Sequence, residues 1–164
     1  MLKTKKIKIR YLRFSDAQEA TDIYNSSLLS LSRNEPISQE KMRELIEKSN
    51  KKFFIGLFSD NQLMGHLLLI AKNDKIKALD IGIVIHSEYQ RRGFGCILLK
   101  KALAIANANG YKKIIAEILE YNNNSISFFE KNRFEIMGKS DRKIIKDGKK
   151  IELLRYEYVL DKAR

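Results

Sequence analysis

The stretch Ile81-Gly82-Ile83-Val84-Ile85-His86-Ser87-Glu88-Tyr89-Gln90-Arg91-Arg92-Gly93-Phe94-Gly95 is the most informative in the chain. An apolar strand pattern ends, a short basic loop follows, and two glycines open a helical pattern. Glycine lets a backbone approach a ligand closely, and a helix start presents N–H groups and the positive end of the dipole. Arg91 and Arg92 add positive charge beside them. The arrangement suits a pyrophosphate, although two glycines before a helix can equally make a tight turn. A dinucleotide fingerprint would need a third glycine where Leu98 stands, and a shorter strand-to-helix turn. A P-loop would need Gly-Lys-Ser/Thr, and no such tripeptide follows.

Working outward, Ala78 to Ile85 reads as a strand and Phe94 to Asn109 as a helix. Leu98, Ala102, Ile105 and Ala106 lie on one side of that helix, and Gly110 is its stop. Upstream, Phe53 to Phe58 and Leu63 to Ala71 are strands joined at Ser59-Asp60-Asn61, and Asn73-Asp74 marks a turn. Ser15-Asp16 offers an N-cap for a helix carrying Ala20, Ile23, Tyr24 and Leu28, which ends before Pro36. Ser38 starts a second helix, to about Lys48. Downstream come a strand over Tyr111 to Leu119 and a short helix over Asn124 to Asn132. A closing hairpin, Phe134 to Ile145 and Ile151 to Leu160, turns at Asp147-Gly148. With no linker, repeat or low-complexity segment, residues 1–164 read as a single α/β domain.

Composition narrows the class. The 164 residues carry 32 Lys+Arg against 20 Asp+Glu, a formal charge of +12, with 44% hydrophobic content sufficient for a core. The charge points to an anionic partner without naming it. One Cys excludes an internal disulfide or a Cys-rich zinc site and suits a reducing cytoplasm. The longest apolar run, Leu67 to Ala71, falls far short of the ~18 residues of a membrane span, so no membrane partner is expected. Lys3, Lys5, Lys6, Lys8 and Arg10 crowd the N-terminus. From Lys6 they alternate with Ile7, Ile9 and Tyr11, the pattern of a half-buried strand with a basic outer face.

Gln90-x-x-Gly93-x-Gly95, after a hydrophobic strand and before a helix, resembles the coenzyme A loop of the GNAT N-acetyltransferase superfamily. About thirty residues on, Asn122-x-x-Ser125-Ile126-x-Phe128-Phe129-Glu130-Lys131-x-Arg133-Phe134 resembles that family's second motif. The element order is similar as well, so the resemblance covers essentially the whole chain. It implies a GNAT-like α/β domain with a mixed, mostly antiparallel sheet of about six to seven strands flanked by about four helices. It also implies acetyl-CoA as co-substrate, no metal, and direct transfer to a primary amine of a small molecule or a protein N-terminus. A homodimer is compatible with it. Ile23-Tyr24-Asn25 with Glu35-Pro36-Ile37-Ser38 resembles the start of phosphinothricin-type acetyltransferases, and the Asn-x-x-Ser-Ile form is also seen among ribosomal-protein N-terminal acetyltransferases.

By the same resemblance, backbone N–H groups over Arg91, Arg92, Gly93, Phe94, Gly95 and Cys96 hold the pyrophosphate. Ile83, Val84 and Ile85 line the pantetheine arm, with the Ile83 and Ile85 backbone pairing to it as an added strand would. Asn122 hydrogen-bonds the pantetheine or caps the following helix, a role Asn124 could take instead. An ammonium near pKa ~10 must lose its proton before it attacks. Asp80 is the candidate base. It shares a strand face with Gly82 and Val84, and Gly82 leaves room for a substrate. Its bland reading is a solvated strand start. Glu117 is the alternative base or a solvent-facing residue. Phe129 stands where many members carry a tyrosine that protonates the leaving thiolate, and a phenyl ring cannot donate. Ser125 matches the position used for that role in some relatives, or is simply small enough for coenzyme A to approach. Arg133 replaces the family's glycine, implying a change of turn.

His66 reads as a packed core histidine, His86 as a loop-entry residue and Cys96 as a small residue in the helix start. Two separated histidines and one cysteine make no metal site. A nucleic-acid-binding domain would be supported by charge alone, since no basic recognition helix or aromatic RNA motif is present. A GNAT-like module that binds acetyl-CoA without transfer is the reading Phe129 motivates.

Overall fold

Period-two patterning and tight turns build the strands. The computed structural model describes residues 6–33, 35–47, 51–72 and 75–160. Strand β1 (Ile7–Tyr11) is followed by helices α1 (Ala17–Ser26) and α2 (Gln39–Glu47), then strands β2 (Lys52–Ser59), β3 (Gln62–Ala71) and β4 (Ala78–Ile85). Helix α3 (Phe94–Ala108), strand β5 (Lys113–Leu119), helix α4 (Asn123–Lys131) and strands β6 (Glu135–Lys146) and β7 (Lys149–Val159) complete the chain. The strands hydrogen-bond in the order β1-β2-β3-β4-β5-β7-β6. The result is the mixed α/β sheet expected, with seven strands and four α-helices among the described residues. The β4–β5 ladder is parallel, pairing Ala78↔Lys113 through Asp80↔Ile115. β1–β2, β2–β3, β5–β7 and β6–β7 are antiparallel.

Both expected hairpins form, each through a two-residue turn. Asp60 and Asn61 have φ of 48° and 69° between the paired Ser59 and Gln62. Asp147 and Gly148, with φ of 49° and 72°, join the paired Lys146 and Lys149. Two successive positive φ values match the right-handed twist of the flanking strands. The expected Asn73-Asp74 turn and Lys48 helix end lie outside the described residues, as do Lys3 and Lys5.

The chain forms two compact units. One comprises Met1–Ser27, Pro36–Ile70 and Gly82–Ala102; the other comprises Leu28–Glu35, Ala71–Ile81 and Leu103–Arg164. In the first, Ala17, Ala20 and Ile23 of α1 are buried, with Met42 of α2 and Ile55, Leu57, Leu63, Leu67 and Leu69 of β2 and β3. The Asn25 side chain clamps Ile37 from both sides, accepting its N–H at 2.8 Å and donating to its carbonyl at 2.9 Å. Asp16 does not cap α1 with its side chain, contrary to the sequence reading. Its carboxylate accepts the Arg13 N–H at 2.7 Å and the Arg10 guanidinium at 2.7 and 2.9 Å. A charged fork at strand end β1 outcompetes a local helix N–H for those oxygens. The first helix also stops before Leu28, which falls in a 3₁₀ turn over Leu28–Ser30.

His66 is buried in the first unit, its ring edge-on to Phe54 at 5.3 Å. Burial pushes its pKa down from 6.5 to about 4, the Ala20 backbone opposing only slightly. It is the packed core histidine anticipated.

In the second unit, Ile114, Ile115, Ala116, Ile118 and Leu119 of β5 are buried with Leu153 and Tyr156 of β7 and Phe129 and Phe134. The pairing of β6 with β7 is irregular between Ile136 and Gly138 and again between Lys139 and Lys143. Arg133 does not alter the turn after α4, as the sequence suggested. It adopts φ +67°, with its N–H on the Glu130 carbonyl at 3.1 Å and the Phe134 N–H on the Phe129 carbonyl at 3.0 Å. These bonds make the usual left-handed helix stop, with a bulky residue in the glycine position.

Two predictions follow from these buried and strained positions. His66 stays neutral in the fold, while the unfolded chain takes up a proton below its ordinary pKa of 6.5. Stability contributed by this residue is therefore lost as pH falls from 6.5 towards about 4, by up to about 3 kcal/mol. Urea unfolding between pH 7 and 5 should show a steeper loss for the native chain than for His66→Leu. Arg133→Gly should relieve left-handed strain and raise stability by about 1 kcal/mol in the same assay. A loss would show that Arg133 contributes a compensating contact.

Candidate active site

In the first unit, β4 runs out into a short 3₁₀ turn over Ser87–Tyr89 that His86 initiates, its Nδ1 accepting the Glu88 N–H at 3.3 Å. Gln90 folds back, and its Nε2 donates to the Ile85 carbonyl at 3.0 Å, pinning the loop to the end of the strand. Arg91 (φ +62°) and Gly93 (φ +83°) then take left-handed backbone conformations. The Gly93 carbonyl accepts the Ile97 N–H at 3.2 Å, which starts α3. The first-turn amides of α3, with Phe94 and Gly95 leading, therefore point out of the helix end, where an anion is favoured. The Arg92 guanidinium lies 5.7 Å from the Tyr89 ring centre, and the Tyr89 hydroxyl donates to Gln62 at 3.2 Å. A Cβ built on Gly93 or on Gly82 would meet nothing within 4 Å. The protein itself leaves both positions open, as a close-approaching ligand backbone requires. Cys96 is half-buried in the first turn of α3.

The second unit holds the acidic groups. Asp80 is half-buried on β4; Lys72 Nζ lies 3.2 Å from its Oδ2, while its buried Oδ1 has no hydrogen-bond partner. Burial raises the proton affinity of this carboxyl above the ordinary range. Lys72 opposes that shift, Glu117 adds to it and Arg142 opposes it more weakly. Glu117 differs. Its Oε1 accepts the Ser140 hydroxyl at 2.5 Å, and its Oε2 accepts Arg142 Nε at 3.0 Å and Nη2 at 2.8 Å. Both Glu117 oxygens are engaged by side chains, whereas the Asp80 carboxylate is held by an ion pair on Oδ2 only. The irregular stretch of β6 between Lys139 and Lys143 carries Ser140 and Arg142 to Glu117. Arg142 also reaches Ser32 Oγ at 3.1 Å, and Lys146 Nζ donates to the Leu28 and Leu31 carbonyls at 2.8 and 2.9 Å. Those bonds tie the Leu28–Glu35 segment to β6.

Asn122 caps α4: its Oδ1 accepts the Ser125 N–H at 3.1 Å and its Nδ2 donates to the Ser30 carbonyl at 3.1 Å. The capping residue is Asn122 rather than Asn124, and both ends of its amide already serve the fold. Phe129 is buried between Phe128 (5.1 Å) and Phe134 (4.8 Å), edge-on to both, while Ser125 is half-buried. The sequence reading missed Lys72, Ser140, Arg142 and Lys146. Nothing local marks them, because each matters through a partner elsewhere in the fold. Among the described residues no three His, Cys, Asp or Glu side chains gather as metal ligands, and no helix is long and apolar enough to cross a membrane.

Comparison with known proteins bears on both halves of this picture. A model of the acetyltransferase (GNAT) family matches residues 18–134, well over half of the chain. A Salmonella typhimurium protein solved with its cofactor acetyl-CoA superposes with a TM-score of 0.86 at 18% identity, covering 97% of this chain and 96% of that one. A ribosomal-protein-alanine N-acetyltransferase from Brucella melitensis gives 0.84 at 20% identity, covering 93% and 99%. A spermidine N-acetyltransferase chimera from Vibrio cholerae gives 0.83 at 20% identity, covering 94% and 95%. No curated protein matches the sequence significantly.

Proposed function

Because the chain belongs to the GNAT family of acetyltransferases, we propose that it moves the acetyl group of acetyl-CoA directly to a primary amine borne by a small molecule or a protein N-terminus. We read residues 1–164 as one acetyltransferase domain; the family match draws on both units. Acetyl-CoA supplies an activated thioester, and the chain's own groups do the rest.

The amides from Arg91 to Cys96, with Gly93 held at φ +83° and open above, take the pyrophosphate; Gln90 keeps that loop fixed to the strand. The Ile83–Ile85 backbone pairs with the pantetheine arm. Asp80 removes the proton from the acceptor ammonium, leaving the nitrogen lone pair free to attack. The observation that carries this reading is the asymmetry of the two carboxylates: Asp80 has one unpartnered oxygen and a raised proton affinity, whereas Glu117 is spent on Ser140 and Arg142. A base whose pKa lies nearer the working pH is the more effective one. With Phe129 packed among rings, the departing thiolate takes its proton from Ser125 or from water. A thiol pKa near ~8.5 makes that demand modest.

The neighbours named above act on a ribosomal protein's alanine and on spermidine, so both a peptide N-terminus and a small polyamine are acceptor classes to test. A turnover screen monitoring thiol release from acetyl-CoA across N-terminal peptides, polyamines, amino acids and antibiotics should identify one. On that acceptor, Asp80→Asn should lower kcat by about 10²-fold or more, with acetyl-CoA affinity unchanged. Gly82→Ala should leave thermal stability intact, because the added Cβ meets no protein atom within 4 Å, yet lower turnover. Tight acetyl-CoA binding with no acetylation of any amine would instead make the chain a binding module.

A further inference from the structure

We propose that Lys72 is a positioning residue for the reaction: it grips Asp80 by Oδ2 and keeps the carboxylate ionised, ready to accept the proton. This role rests on Asp80 acting as the base.

Lys72 closes the passage from β3 to β4, its N–H donating to the Ala78 carbonyl at 2.9 Å. That bond fixes its backbone beside the first residues of β4 and brings its Nζ to 3.2 Å from Asp80 Oδ2. The contact is one-sided, because Asp80 Oδ1 is buried and makes no hydrogen bond. The charged groups that act on Asp80 are Lys72, just after β3, Glu117 of β5 and Arg142 of β6. Glu117 makes ionisation of Asp80 harder. Arg142 cannot replace Lys72, since its Nε and Nη2 are turned to Glu117 and Ser32. A half-buried carboxylate next to another carboxylate would otherwise hold its proton, and a neutral carboxyl cannot accept one. An ammonium at 3–4 Å supplies the opposing charge. Lys72 lends no proton in the step: the proton leaves the acceptor ammonium for the Asp80 carboxylate, the N–H electron pair stays on nitrogen, and Asp80 later releases the proton to water. The sequence concealed this residue, because it looks like one more surface lysine before a turn.

The test is a ¹³C NMR titration of the Asp80 carboxyl in the full chain, with the native protein, Lys72→Met, Lys72→Gln and Lys72→Arg. Loss of the charge should raise the Asp80 midpoint by about one pH unit in both neutral variants, and Lys72→Arg should restore it. The acidic limb of kcat, measured on the acceptor found by the turnover screen, should move by the same amount, so activity below the limb falls about tenfold while the high-pH plateau holds. The two neutral variants guard against a misfolded one, and their thermal melts confirm the fold. An unmoved Asp80 midpoint in Lys72→Met and Lys72→Gln overturns the role of Lys72. Full turnover by Asp80→Asn overturns the assignment of Asp80 as the base, and is told apart because it leaves the Lys72-dependent midpoint shift in place.

Discussion

Strand β4 is the constraint on which the rest of the site depends. An extended strand rises about 3.3 Å per residue and alternates its faces, so its residues cannot be repositioned independently. On this one element stand Asp80 with its unpartnered oxygen, Gly82 with open space above it, and the Ile83–Ile85 backbone. The loop that follows is anchored back to it through Gln90. A change of one residue in register would put Asp80 on the opposite face and exchange its surroundings for those of Leu79, which is fully buried.

The excess positive charge divides into several uses. Arg10 is spent on Asp16, Lys113 and Arg155 on the buried Glu157, and Arg142 on Glu117 and Ser32. Lys146 serves as a donor to the carbonyls of a 3₁₀ turn, and burial there pushes its pKa down. These are uses in folding rather than in attracting a polyanion. Arg91 and Arg92 sit on the loop before Gly93, exposed, where a phosphate would profit from them. Charge counted over the whole chain was therefore a poor guide to the partner, since much of it is engaged within the fold.

Local patterns were legible in the sequence. Both two-residue turns, the apolar face of α3 and the core position of His66 followed from residue spacing, because each depends on neighbours within a few positions. The misread positions have a common cause. Asp16 looked like a cap because Ser-Asp before an apolar period is a cap signal, but Arg10 reached it from β1. Arg133 looked like a changed turn, whereas the Arg133 and Phe134 N–H groups, donating to the Glu130 and Phe129 carbonyls, hold the left-handed backbone despite the side chain. Among three consecutive asparagines, the one that caps α4 is the one that also reaches Ser30.

What the sequence by itself determined is the family and the order of elements, since these are written in short motifs whose physics is local: glycine conformations, a helix start, a strand's alternation. What only the tertiary structure decided is how each carboxylate is partnered. The sequence placed Asp80 ahead of Glu117 by strand face alone and showed the partners of neither. The two carboxylates become different when strand pairing and the irregular course of β6 bring Ser140 and Arg142 onto one, and a lysine on one side only of the other. Hydrogen-bond partners separated by more than twenty residues leave no periodic trace, because the fold rather than the chain makes them neighbours.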